Sequence, residues 1–87
     1  MYVIVVYDCG EKRVAKMLKL CRRYLNWIQN SVFEGEISEV KLKELKYAAE
    51  EIMEKEEDSL IIFASRRNEW FEKEILGKER ASTDNFL

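Results

Sequence analysis

A chain of 87 residues with no Gly- or Ser-rich stretch long enough to act as a linker has room for one hydrophobic core. It contains no histidine, which excludes Cys/His zinc sites, Ser-His or Cys-His catalysis and the commonest general base, and leaves carboxylates, Lys, Tyr or a metal for any chemistry. The formal charge of −2 argues against nucleic acid only as a mean: residues 11–25 hold Lys12, Arg13, Lys16, Lys19, Arg22 and Arg23 against Glu11, whereas the stretch from Glu34 to Asp58 carries a clear excess of acids over lysines.

Residues 2–7 form a continuous β-branched and aromatic run that predicts a strand apolar on both faces. The run ends at Asp8 and has no basic leader, so it is too short for a signal peptide or a bilayer span, and a cytoplasmic protein is expected. Cys9 and Cys21 lack CxxC spacing and read as reduced thiols. Asp8 has two readings. It is either an N-cap or Asx-turn residue for the Cys9-Gly10-Glu11 turn, or a ligand for a divalent cation, which accepts one or two carboxylates and completes its shell with water and phosphate oxygens. One carboxylate per chain makes a poor site; two copies facing each other across a two-fold axis could share an ion.

A helix follows, with Lys12, Lys16, Lys19 and Arg23 on one stripe and Val14, Leu18, Cys21 and Leu25 opposite. The stripe is either a solvated face or a phosphate-binding ridge. Trp27 to Glu36 resumes β character, Ser38 caps a second helix, and Leu42, Leu45, Ala49 and Ile52 mark its buried stripe beneath an acidic outer face. Asp58-Ser59 punctuates its end. Leu60–Ala64 is a further strand apolar on both faces, and Glu69–Leu76 a weaker one after a turn at Arg66-Arg67-Asn68. Tyr7, Trp27 and Phe33 have apolar strand neighbours, which favours core or dimer packing over base stacking.

These elements are read as the split βαββαβ pattern of the α+β class: a ferredoxin-like sandwich over residues 1–77, with a four-stranded antiparallel sheet and both helices on one face, followed by a tail at 78–87. The other sheet face would expose a patch of Val and Ile side chains amounting to roughly several hundred Å², and a two-fold homodimer would cover it.

Several segments together resemble one family closely: Tyr7-Asp8 after the opening strand, Lys12-Arg13 with Lys16 and Lys19, and above all Tyr24 through Glu36 with its QNSVFEGE run. The chain is similar to Cas-two, the small core protein of CRISPR spacer acquisition, over nearly its whole length, including Leu76-Gly77 and Asn85-Phe86. The resemblance implies a homodimer in which the C-terminal segment adds a strand to the partner's sheet. It also implies that Asp8 holds Mg²⁺ or Mn²⁺ and is the catalytic carboxylate of a metal-dependent endonuclease on single-stranded RNA or duplex DNA. By the same resemblance Lys12, Arg13, Lys16, Lys19, Arg22 and Arg23 form the nucleic-acid-binding helix, and Tyr7, Ser31 and Phe33 shape the dimer cleft. Members are also scaffolds that grip duplex DNA with a larger integrase partner. Many relatives carry another polar or acidic residue soon after the aspartate, where this chain has Cys9-Gly10-Glu11; that departure bears on catalysis and leaves the scaffold role alone. The alternatives are a VapD-like ribonuclease toxin and a non-catalytic ferredoxin-like interaction module.

Overall fold

A computed structural model describes residues 1–66 and 74–78. The chain forms β1 (Tyr2–Asp8), α1 (Glu11–Arg22), β2 (Asn26–Gln29), β3 (Val32–Glu36), α2 (Glu39–Ile52) and β4 (Ser59–Ser65). The strands make one antiparallel sheet in the order β2-β3-β1-β4, the ferredoxin-like arrangement. β1 has the apolar run expected of a central strand and is laddered on both edges, Val5 facing Phe33 on one side and Ile62 on the other.

The order of elements is the βαββαβ expected, and the structure places the strands within it. Trp27–Glu36, the stretch of β character between the helices, is a hairpin: β2 and β3 are joined by Asn30 and Ser31, with Asn30 at φ 43°, a left-handed conformation that Asn tolerates better than most residues. The carbonyl of Asn30 accepts the Trp27 indole N–H at 3.0 Å, and the ladder slips between Trp27 and Gln29. The weaker strand expected at Glu69–Leu76 is not the fourth strand; residues 74–76 lie in no strand, and 67–73 fall outside the described residues, as does the tail beyond Lys78.

Odd-numbered β1 side chains Val3, Val5 and Tyr7 are buried beneath the helices with Phe33. α1 contributes Met17, Leu20 and Cys21, and α2 contributes Leu42, Leu45 and Ala49, each set spaced to share one helical face. The buried stripe of α1 is thus rotated from the one expected, and Val14 stands exposed at its margin. Each fully buried large apolar side chain contributes about 1.5–3 kcal/mol. Ser38 caps α2 as its sequence suggests, its hydroxyl accepting the Lys41 N–H at 3.1 Å.

The even-numbered side chains Tyr2, Ile4, Val6 and Asp8 turn to the opposite, helix-free face with Glu34, Val32, Ile61 and Phe63. There Ile61 is 50% and Phe63 53% exposed. Ile75 and Leu76 border part of this face, lining with Ile4, Ile28 and Val32 a shallow groove of about 310 Å³. Glu34 is buried on the same face at 2% exposure and hydrogen-bonds the Tyr2 side chain; burial first, then Glu34, pushes the Tyr2 phenol above its ordinary pKa.

Candidate active site and nucleic-acid surface

Asp8 is the last residue of β1, in register with Ser59 at the start of β4, and its side chain is exposed on the helix-free face. Capping falls to the next turn instead. Gly10 occupies the N-cap of α1, and its carbonyl accepts the N–H groups of Arg13 and Val14 at 2.9 and 3.1 Å. No described N–H reaches the Asp8 carboxylate, so the turn-capping role considered for it belongs to Gly10 and, as shown below, to Asp58.

The α1 cations divide into two groups. Lys12, Lys16, Lys19, Arg22 and Arg23 are exposed, and none forms an ion pair among the described residues. The guanidinium of Arg22 lies 5.9 Å from the Trp27 ring and that of Arg23 6.0 Å from the Tyr24 ring, contacts that hold each head group without neutralising it. Lys19 and Arg22 also sit in the last turn, where the helix dipole favours positive charge. Arg13 is turned away from this ridge and grips Asp58.

Asp58 has a fully buried side chain that receives four donors. Its Oδ1 accepts the Gly10 N–H at 2.9 Å and Arg13 Nη2 at 3.0 Å; its Oδ2 accepts Arg13 Nε at 2.5 Å and the Glu54 N–H at 2.9 Å. Arg13 Nη2 also reaches Glu57 at 2.9 Å. A buried carboxylate survives in this setting because every lone pair is met and a bidentate guanidinium balances its charge. The Arg13 hydrogen bond foremost, then the Glu54 and Gly10 amides, hold the Asp58 carboxyl well below the usual carboxylate range.

This depressed folded-state pKa fixes a pH dependence. Unfolded, the carboxyl titrates near pH 3.9, so above about pH 5 the full stabilisation is present, and it is lost as acid protonates the unfolded chain first and then reaches the folded pKa. Thermal midpoints measured between about pH 5 and pH 3 should therefore fall more steeply for the parent than for Asp58→Asn, which starts lower and has no such carboxylate to titrate.

The sequence profile of the family CRISPR associated protein Cas2 matches residues 1–73. The chain belongs to the Cas2 family. A Cas2 from Fusobacterium nucleatum, named CRISPR-associated endoribonuclease Cas2, is 50% identical over 100% of this chain and 87% of its own; one of the same name from Dictyoglomus turgidum is 47% identical over 100% of both. A crystal structure described as cas2 superposes with a TM-score of 0.86 at 40% identity, covering 100% of this chain and 98% of that one. Streptococcus pyogenes Cas2, crystallised at pH 6.5, gives 0.71 at 30% identity, covering 78% and 89%.

Of the three residues expected to shape the cleft, two are buried within this Cas2 chain and Ser31 is half-buried in the β2–β3 turn. Tyr7 and Phe33 are buried on the helix side with ring centroids 6.1 Å apart and planes 22° from parallel, and Ser31 hydrogen-bonds the Tyr7 side chain. Both rings serve the core of the chain, and neither reaches the helix-free face. Both thiols are free; burial raises Cys9 and pushes Cys21 up to about 12, so neither is poised as a thiolate.

As a metal site, one Cas2 subunit supplies little. Among the described residues no three Asp, Glu or Cys side chains converge in a cation-binding group. Mg²⁺ is nonetheless suited to one or two carboxylates with water and phosphate oxygens, so the exposed Asp8 carboxylate would suit such an ion if a second copy supplied its own. No helix among the described residues is long and apolar enough to cross a membrane.

Proposed function

We propose that this Cas2 chain acts as a homodimer that cleaves RNA with a divalent metal held between two copies of Asp8, and that the exposed cations of α1 hold the phosphate backbone. The supporting observation is the position of Asp8: an exposed carboxylate at the end of the central strand, on the one sheet face whose Ile61 and Phe63 call for a cover. Stacking two such faces about a two-fold axis brings two carboxylates toward that axis and leaves the two α1 ridges on the outer layers. The names of the relatives, CRISPR-associated endoribonuclease Cas2, support RNA as the substrate.

In this arrangement Asp8 orients the cation, and Lys12 at the start of α1 is the nearest ridge cation in sequence to meet the substrate backbone. A shared Mg²⁺ or Mn²⁺ would supply an activated water and neutralise charge gathering on the phosphorus oxygens. The histidine-free chain contributes binding and orientation, while buried Tyr7 and both cysteines stay out of the reaction.

The deciding assay incubates single-stranded RNA and duplex DNA with the protein in EDTA, Mg²⁺ and Mn²⁺. Cleavage of RNA that needs metal is expected; cleavage undiminished by EDTA would overturn the assignment. The five exposed cations of α1 and its C-cap, which form no ion pair among the described residues, favour a second role, a scaffold that holds duplex DNA together with the larger CRISPR integrase protein. For that role β4 stands last in the order of the four described strands, where the partner subunit's C-terminal segment would add its strand. Tight duplex binding without cleavage of either nucleic acid would select it.

A further inference from the structure

We infer that Asp58 is a positioning residue for the Asp8 carboxylate, acting through the Gly10 amide and the Arg13 guanidinium. The inference rests on the catalytic reading of Asp8 and adds the element that holds it in place. Asp8 has no described hydrogen-bond partner of its own, so the placement of its carboxylate is set by the backbone on either side. On the strand side, Asp8 is paired with Ser59. On the loop side, the chain leaves the sheet through Cys9 and Gly10 into α1. Asp58 controls both. It directly precedes the ladder partner of Asp8, and its Oδ1 takes the Gly10 N–H at 2.9 Å, two residues beyond Asp8.

Arg13 completes the tie. Its guanidinium binds both oxygens of Asp58 from the first turn of α1, so the strand end, the loop and the helix start converge on one buried carboxylate. The Glu54 N–H, at 2.9 Å, fixes that carboxylate from the turn after α2. Gly10 is part of the device: a Cβ there would stand 2.6 Å from Arg13 Nη2, so a side chain would displace the guanidinium from its place. A merely stabilising ion pair has no need to include the amide next to the reacting carboxylate's own turn. The consequence for chemistry is large, since a displacement of about 1 Å in a reacting group costs roughly 10²-fold in rate.

The test compares Asp58→Asn and Arg13→Lys with the parent in the full-length protein; the lysine keeps a charge but loses the fork. Three readouts are taken: kcat and KM on RNA, Mn²⁺ affinity by electron paramagnetic resonance, and exchange of the Gly10 amide by NMR. The expected result is a kcat lower by roughly 10- to 100-fold with KM little changed. Mn²⁺ binding should weaken as well, and the Gly10 amide should exchange faster while Val3 and Val5 stay protected. Variants that keep parental kcat and Mn²⁺ affinity despite a freed Gly10 amide would overturn the inference. So would an activity loss that only follows the loss of folded protein. If Asp58→Asn does not fold, Arg13→Lys decides the matter. An Asp8→Asn protein that cuts at the parental rate would remove the catalytic reading and this inference together, whereas Asp8-dependent cleavage indifferent to Asp58 and Arg13 would remove this inference alone.

Discussion

Asp8→Asn is expected to lower metal-dependent cleavage by about 10³-fold or more while leaving oligomeric state and nucleic-acid binding intact. The substitution keeps the shape of the side chain and removes its charge. Because Asp8 is exposed and no described residue bonds its carboxylate, the fold has little to lose, and surface changes of this kind sit within roughly 0.5 kcal/mol. Loss of the charge instead removes the protein ligand that a cation on the two-fold axis would use, from both copies at once. Gel assays of cleavage beside circular dichroism and sedimentation of the same samples separate the two effects. Parental cleavage by a folded Asp8→Asn protein would assign the chemistry elsewhere.

The second large effect is expected from replacing Lys16, Lys19 and Arg23 together by Glu, which should abolish duplex binding without unfolding the protein. All three are exposed and lie on the same side of α1, so the ridge changes sign while the buried Met17, Leu20 and Cys21 face is untouched. Two ridges in a dimer meet enough phosphates for parental affinity to drop roughly 10³-fold or more between about 50 and 200 mM salt, as displaced counterions compete back. Arg13 is left out of the set because its charge is already committed to Asp58 and Glu57. Salt-independent binding, or a charge-reversed protein that binds as before, would show that α1 is an ordinary solvated face.

The parts of the fold written locally were legible. β1 follows from its unbroken β-branched run, α2 from the spacing of Leu42, Leu45 and Ala49 behind Ser38, and the strand at Leu60–Ala64 from its apolar composition. The place of the turn between β2 and β3 was not legible, because it uses Asn30 and Ser31 with no glycine to mark it, and the positive φ of Asn30 is a conformation no local propensity requires. Helical spacing around α1 suggested Val14 for the core, whereas tertiary packing chose Met17 and Leu20. Asp8 could be singled out from its place after the strand, and the alternation of side chains sets its face. Asp58 looked like punctuation. Its four donors come from Gly10, Arg13 and Glu54, and the main partner lies 45 residues away, so no window of sequence shows that Arg13 belongs to a buried ion pair and not to the ridge.

The proposed sharing of carboxylates and the proposed doubling of the basic ridge both require two identical apolar faces to come together. Sedimentation equilibrium at micromolar concentration measures that association directly. A single species of about twice the 10.4 kDa chain mass is the expected result. A soluble, folded species of 10.4 kDa that persists as concentration rises would contradict it, leaving Ile61 and Phe63 uncovered and each Asp8 alone.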